Sequence, residues 1–321
     1  MKTIIISDFD ETITRVDTIC TIAKLPYLLN PRLKPEWGHF TKTYMDVYHK
    51  YKYNGTRSLP LLSSGVPTII SQSNFNKLFA DELKYQNHNR VVELNSVNEI
   101  TKQQIFKSIS LDQMKTFARD QNHDDCLLRD GFKTFCSSVV KNFESDFYVL
   151  SINWSKEFIH EVIGDRRLKN SHIFCNDLKK VSDKCSQSYN GEFDCRLLTG
   201  SDKVKILVKI LGEILDKIDS GCNKEGNSCS YWYIGDSETD LLSILHPSTN
   251  GVLLINPQEN PSKFIKITEK IIGIPKDKIS SFEADNGPAW LQFCEKEDGK
   301  GAYLVKSWDS LKDLIMQVTK M

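Results

Sequence analysis

Long apolar runs are missing from this sequence, and so is any excess of one charge. No stretch approaches the roughly 18 apolar residues of a membrane-spanning helix. The amino-terminal MKTIIISDFDE offers only Thr3 to Ile6 before polar Ser7 and Asp8, against about 7–15 apolar residues in a secretory leader. The 42 Lys and Arg balance the 42 Asp and Glu, and no block of like charge stands out. A protein held on nucleic acid through phosphate contacts needs concentrated Lys and Arg, so neither a nucleic acid nor a membrane is expected as a partner. Nine scattered cysteines contain no C-x-x-C pair, and seven histidines show no H-x-x-x-H or H-E-x-x-H arrangement, which removes the common zinc and dithiol signatures. An odd, scattered cysteine set is expected in a reducing intracellular compartment: the cytoplasm, with the nucleus as a second location. The tripeptides Asn54-Gly55-Thr56 and Asn153-Trp154-Ser155 then have no glycosylation role. Internal repeats and low-complexity tracts are also lacking.

Four short β-prone runs are present: Thr3 to Ile6, Phe147 to Leu150, Tyr231 to Ile234 and Val252 to Ile255. Continuous apolar runs of this length fit strands buried on both faces, and helical patterns between them make the expected class α/β, with a Rossmann-like parallel sheet. The spacing predicts further strands near Ile173 and at Ala302 to Val305, a hairpin closed around Asn190-Gly191, and helices at about Ser155 to Ile163, Val204 to Leu215, Pro261 to Ile271 and from Ser307 onward. The loop Asp285-Asn286-Gly287-Pro288 and the following Ala289-Trp290 read as a packed turn. The interval from Arg15 to Arg129 carries only helical patterns, around Asp17 to Leu29, Glu36 to Tyr53, Asn74 to Tyr85 and Leu111 to Arg119, broken by Pro31, Pro35, Pro60 and Pro67. It far exceeds the roughly 2–6 residues of a connection within one sheet. The expected division is therefore a helical second domain at 15–129 inserted into a core made of 1–14 and 130–321.

Carboxylates cluster where the first strand ends, in Asp8-Phe9-Asp10-Glu11-Thr12-Ile13-Thr14. Open α/β sheets place ligands at the carboxyl ends of their strands, and acidic groups this close repel one another unless a cation sits among them. A divalent metal answers that repulsion. A carboxylate there is also able to attack phosphorus, with a neighbouring acid moving the proton. A second signal is Tyr231-Trp232-Tyr233-Ile234-Gly235-Asp236-Ser237-Glu238-Thr239-Asp240, a strand that ends in Gly-Asp-Ser-x-x-Asp. Glycine at 235 lets the backbone approach a site closely. Between these two lie Ser151-Ile152-Asn153-Trp154-Ser155, directly after the second strand, and Lys203, which follows Gly200-Ser201-Asp202 at the start of an apolar-periodic stretch.

D-x-D-x-T after an apolar strand resembles motif I of the haloacid dehalogenase (HAD) superfamily, and the other three pieces resemble motifs II, III and IV in the right order, over about three quarters of the chain. The resemblance implies Asp8 as nucleophile and Asp10 as general acid and base. It also implies Mg²⁺ as cofactor, held by Asp8, Asp236 and the backbone carbonyl of Asp10, with Asp240 holding the metal shell or orienting the lysine. Ser151, with Ile152, Asn153 and Lys203, would bind phosphate; Trp154 would line the pocket and Ser155 cap the helix. Lys203 is preferred to Lys205 as the motif III lysine, with both in the first helical turns. The position of the insert resembles a C1 cap, and Leu128-Arg129-Asp130-Gly131-Phe132 resembles the return from cap to core in phosphoserine-phosphatase-like enzymes. A Mg²⁺-dependent phosphatase of a small phosphorylated metabolite is thus implied. The alternatives are a phosphotransferase or phosphonate-cleaving relative, or a catalytically silent regulator that binds a phosphorylated ligand. Arg15, Asp17, Tyr44, Tyr48 and Arg57 on the insert are candidates to touch the leaving group. The tyrosines at 44, 48, 51 and 53 recur near helical spacing, as helix packing requires, and His39, His49 and His160 read as ordinary surface or half-buried residues.

Overall fold

The isoleucines of Lys2–Ser7 (β1) are buried on both sides: Ile5 packs into one hydrophobic cluster, Ile4 and Ile6 into another. That period of two is what a strand covered on both faces needs. The computed structural model describes residues 2–51, 53–62, 69–182, 187–217, 229–284 and 286–318, and in it β1 lies inside an eight-stranded sheet. The other strands are β2 (Ile69–Ile70), β3 (Phe147–Leu150), β4 (Ile173–Phe174), β5 (Asp177–Lys180), β6 (Tyr189–Asp194), β7 (Cys229–Gly235), β8 (Asn250–Leu254), β9 (Trp290–Lys296) and β10 (Gly301–Val305). The sheet order is β2-β9-β10-β8-β7-β1-β3-β4, while β5 and β6 pair separately. Within the sheet every neighbouring pair is parallel except β9 with β10. The class is α/β with a mostly parallel sheet, and all six strands expected from the sequence are present.

Register decides what the strands deliver. Ser7 stands opposite Val149 of β3 and Ile234 of β7, so the residues that follow emerge side by side at one edge of the sheet. Asp8 extends the pairing by donating its N–H to the Ile234 carbonyl (2.8 Å).

Several elements depart from the sequence reading. Trp290 opens β9 instead of ending a packed turn, and Asp285 lies outside the described residues. Asn190-Gly191 sits inside β6 and does not close the β5–β6 pair; Gly191 takes φ +90° next to Lys107 and Gln104, and the strand pairing is irregular there. The helix expected at Asn74 to Tyr85 is a short turn, Phe75–Leu78, followed by a helix Ala80–Lys102. Its inward face carries Glu82 and Gln86 as well as Val92, Val97 and Ile100, and those polar groups blur the apolar spacing that marks a helix.

Helices Ile19–Ile22, Lys24–Leu29, Trp37–Lys50 and Leu111–Gln121 complete residues 15–129. The segment leaves and returns at one point, where Arg15 N–H donates to the Leu127 carbonyl (2.8 Å) and Arg129 N–H to that of Ile13 (2.9 Å). Its middle also joins the sheet. β2 pairs with β9, and Leu61 and Leu62 donate backbone N–H groups to the Ile271 and Ile272 carbonyls (2.7 and 2.8 Å). Among the described residues no helix is long and apolar enough to cross a membrane.

Candidate active site

Four sequence segments from distant parts of the chain converge at the carboxyl ends of β1, β3 and β7. Asp8 is buried as β1 ends. Its Oδ2 lies 3.0 Å from Lys203 Nζ, while its Oδ1 is buried with no hydrogen-bond partner. Burial raises the Asp8 carboxyl well above its usual range; Lys203 pulls it back, and Asp240, Asp236 and Asp10 add to the rise.

Lys203 stands in the first turn of helix Gly200–Lys217 and is buried between two carboxylates, Asp8 and Asp240, with Asp240 Oδ1 2.7 Å away. Burial works against its charge, yet these two carboxylates win and hold it in the ammonium form. Lys205 points elsewhere: its side chain is 67% exposed and 3.9 Å from Asp202. The spacing of two residues on a helix turns them to different sides, and only Lys203 faces the site.

Asp240 has both oxygens engaged. Oδ1 accepts from Lys203 and from the Tyr233 hydroxyl (2.6 Å), and Oδ2 accepts from the backbone N–H (3.1 Å) and hydroxyl (2.7 Å) of Ser237. It therefore orients Lys203 rather than offering a vacant ligand atom. Gly235 is required here, since a Cβ would overlap the Asp240 side chain. Tyr233 went unnoticed in the sequence because an aromatic in a buried strand reads as core.

Asp10 is held from two sides. Its Oδ1 accepts from the N–H (2.8 Å) and hydroxyl (2.5 Å) of Thr18, and its Oδ2 accepts from Asn153 Nδ2 (2.9 Å). Burial, and next the neighbouring Asp17, push its carboxyl up to about 6. Asn153 also spans to the Thr18 hydroxyl and accepts backbone N–H groups of Trp154 and Ser155 through its Oδ1, so the turn after β3 and the start of the insert are fixed to the same carboxylate. Ser151 is buried beside them and its Oγ accepts from the Asn153 N–H (3.3 Å); Ile152 follows, half-buried. Ser155 caps helix Lys156–Ile163 through Phe158 N–H.

Asp236 accepts from the Thr12 hydroxyl (2.8 Å) and is paired with Lys263, whose Nζ also lies 2.9 Å from Glu11 Oε2. Burial raises the Asp236 carboxyl, with Lys263 opposing. Lys263 had no signature in the sequence. Asn260 caps its helix and Pro261 starts it, but nothing local to that turn reveals a contact with Asp236.

One carboxylate oxygen each from Asp8, Asp236 and Asp240 lie within 4.8 Å of one another. Three buried carboxylates, all of them oxygen donors, match the hard-ligand preference of Mg²⁺. With Asp240 already saturated, Asp8 and Asp236 are the side chains that fit the ion.

Of the insert residues considered for the leaving group, Asp17 and Tyr44 line a cleft beside Asp10. The others do not. Arg15 pairs with Asp130 (2.6 Å), Tyr48 is exposed, and Arg57 is bound to Glu82 (2.7 Å) and Glu238 (2.5 Å) and stacks on Tyr85.

The four segments meet at one edge of a mostly parallel α/β sheet in the order that the resemblance to the HAD superfamily implies. No family model matches it. Among solved structures it is similar to a phosphoserine phosphohydrolase-like protein from Francisella tularensis, at 15% identity and a TM-score of 0.43, covering 88% of this chain and 100% of that one. A CTO1 family protein of Schizosaccharomyces pombe is 28% identical over 290 residues, 86% of this chain and 89% of its own. Cold tolerance protein 1 of Saccharomyces cerevisiae is 98% identical over 321 residues, the full length of both. That extent of identity places this chain in the family of Cold tolerance protein 1.

Proposed function

We propose that the protein is a Mg²⁺-dependent phosphatase of a small phosphomonoester, with residues 15–129 acting as a C1 cap over a core of 1–14 and 130–321, working inside the cell and on neither nucleic acid nor membrane. The observation that carries this is the state of Asp8: one oxygen is held by Lys203, and the other is buried without a partner at the strand end where the four motifs meet.

Asp8 Oδ1 is the atom open to phosphorus. Its attack forms an aspartyl-phosphate while the bond from phosphorus to the leaving oxygen breaks. Asp10, with its carboxyl near 6, gives its proton to that oxygen and then takes one from the water that attacks phosphorus, which frees phosphate and restores Asp8. Ser151, the backbone around Ile152 and Asn153, and the Lys203 ammonium hold phosphoryl oxygens, with Asp240 and Tyr233 fixing Lys203 in place. Asp8, Asp236 and the Asp10 carbonyl would hold Mg²⁺, which supplies positive charge against the phosphoryl oxygens.

The test is release of inorganic phosphate from phenyl phosphate in Mg²⁺ with water as sole acceptor, for the wild type and Asp8→Asn. Loss of at least about a thousandfold in the variant, with unchanged thermal unfolding, is the expected result. Turnover that survives Asp8→Asn refutes the nucleophile, and absence of turnover in the wild type refutes the phosphatase.

A further inference from the structure

Beside Asp10 the insert and the core enclose a cleft of about 360 Å³, at the small end of ligand sites. Both walls are anchored on that carboxylate. Thr18, between the lining residues Asp17 and Ile19, donates to one Asp10 oxygen; Asn153, between the lining residues Ile152 and Trp154, donates to the other. Residues on either side of the two Asp10 partners thus line the cleft, which places it next to the carboxylate that would protonate a leaving oxygen.

The lining has two chemical features. It is aromatic: Trp37, Phe40 and Tyr44 come from helix Trp37–Lys50 and Trp154 from the core, with Trp37 and Trp154 edge to face at 6.1 Å and Trp37 and Phe40 at 5.4 Å. It is also acidic without being basic. Asp17 and Glu93 contribute carboxylates, and among the described residues no Lys or Arg lines it. Glu93 accepts the Tyr44 hydroxyl (3.0 Å), and burial raises the carboxyls of both Asp17 and Glu93, so each gains from a positive charge brought into the cleft. Aromatic faces attract cations as well. A carboxylate at the far end of a substrate would find no cation there and two like charges instead.

We propose that this cleft seats the leaving group, and that the leaving group is an aromatic alcohol bearing an amine. The natural substrate is then an aryl or arylmethyl phosphomonoester with a cationic end. This deepens the phosphatase reading and rests on it.

A charge series tests the idea: O-phosphotyramine (ring and cation), phenyl phosphate (ring alone), 4-(phosphonooxy)phenylacetate (ring and anion) and O-phosphoethanolamine (cation alone), each assayed in Mg²⁺. We expect kcat/KM for O-phosphotyramine to exceed each of the other three by about tenfold or more, the scale of one charged contact plus a stacked ring. Glu93→Gln and Asp17→Asn should each shrink the ratio of O-phosphotyramine to phenyl phosphate, and Trp37→Ala should shrink the ratio of phenyl phosphate to O-phosphoethanolamine. Tyramine itself, which carries no phosphate, should quench tryptophan fluorescence saturably, and less so in Trp37→Ala. Turnover without preference for the cationic ring, or ratios unmoved in the carboxylate variants, overturns the proposal. If no phosphate ester is turned over, the phosphatase reading falls, and failure of tyramine to quench then overturns the cleft assignment separately.

Discussion

Lys263 occupies the carboxylate that a metal ion would need, and replacing it by methionine tests that competition. Asp236 is only 3% exposed and Lys263 21% exposed, and the two are in contact. Removing one partner of a buried pair costs about 3–5 kcal/mol; partial exposure of the lysine brings the expected loss to about 2 kcal/mol. The pair with Glu11, a side chain 41% exposed, adds nothing that survives solvent screening. Without Mg²⁺, then, Lys263→Met should unfold about 2 kcal/mol more easily. Metal on Asp236 replaces the lost positive charge, so the metal-bound variant should match the metal-bound wild type. By linkage the same 2 kcal/mol must appear as tighter metal binding, about thirtyfold in apparent affinity. Denaturant unfolding in EDTA and in saturating Mg²⁺, with a Mg²⁺ titration of the thermal midpoint, measures both. An equal loss with and without Mg²⁺, or weaker binding by the variant, refutes the competition.

Lys203→Met should be costlier, because Asp8 and Asp240 are left buried and facing each other: about 3–5 kcal/mol at pH 7.5, with part recovered at pH 5 as one carboxyl takes a proton, read from denaturant midpoints at the two pH values. Burial, with Lys296 assisting, holds buried His246 down to about 4. Between 6.5 and 4 the unfolded chain binds a proton there and the native state does not, so native stability should fall by up to roughly 3 kcal/mol as pH drops through that window. His246→Asn keeps an acceptor for the Ser248 N–H, now made to His246 Nδ1, and should remove this part of the acid sensitivity; a stability-versus-pH curve that is parallel to wild type refutes the assignment. Gly235→Ala pushes a methyl group into the Asp240 side chain, and should cost about 1–3 kcal/mol together with most of the activity, measured by thermal unfolding and phosphate release.

The strands, and the residues that gather where they end, were legible because each depends on a few contiguous residues. Thr3 to Ile6 could only be buried on both faces, and the acidic groups after it had to meet a cation. Long-range partners left no such trace. Lys263 reads as a surface lysine in a first turn, Thr18 as an ordinary residue of the insert, and Thr12 as the tail of a motif; each gains its meaning from the carboxylate it meets across the fold. Glu82 misled in the other direction. It is a buried carboxylate on a helix, satisfied by Arg57, and that pairing hid the Ala80–Lys102 helix and removed Arg57 from the cleft. Ile69–Ile70 is too short to register as a strand; its place on β9 comes from the sheet edge that β9 offers.

An insert sewn to the sheet at its middle cannot turn as one piece about the paired strands at its ends. Rotation would tear β2 from β9 and pull Leu61 and Leu62 from the segment at 271–272, while Arg90 to Asp202 and Arg57 to Glu238 tie the long helix to the core on the other side. The helix Trp37–Lys50 lies outside those stitches, and it supplies three of the aromatic rings over the cleft. That helix is held in turn by the long one, through Tyr44 to Glu93 and His39 to Glu99.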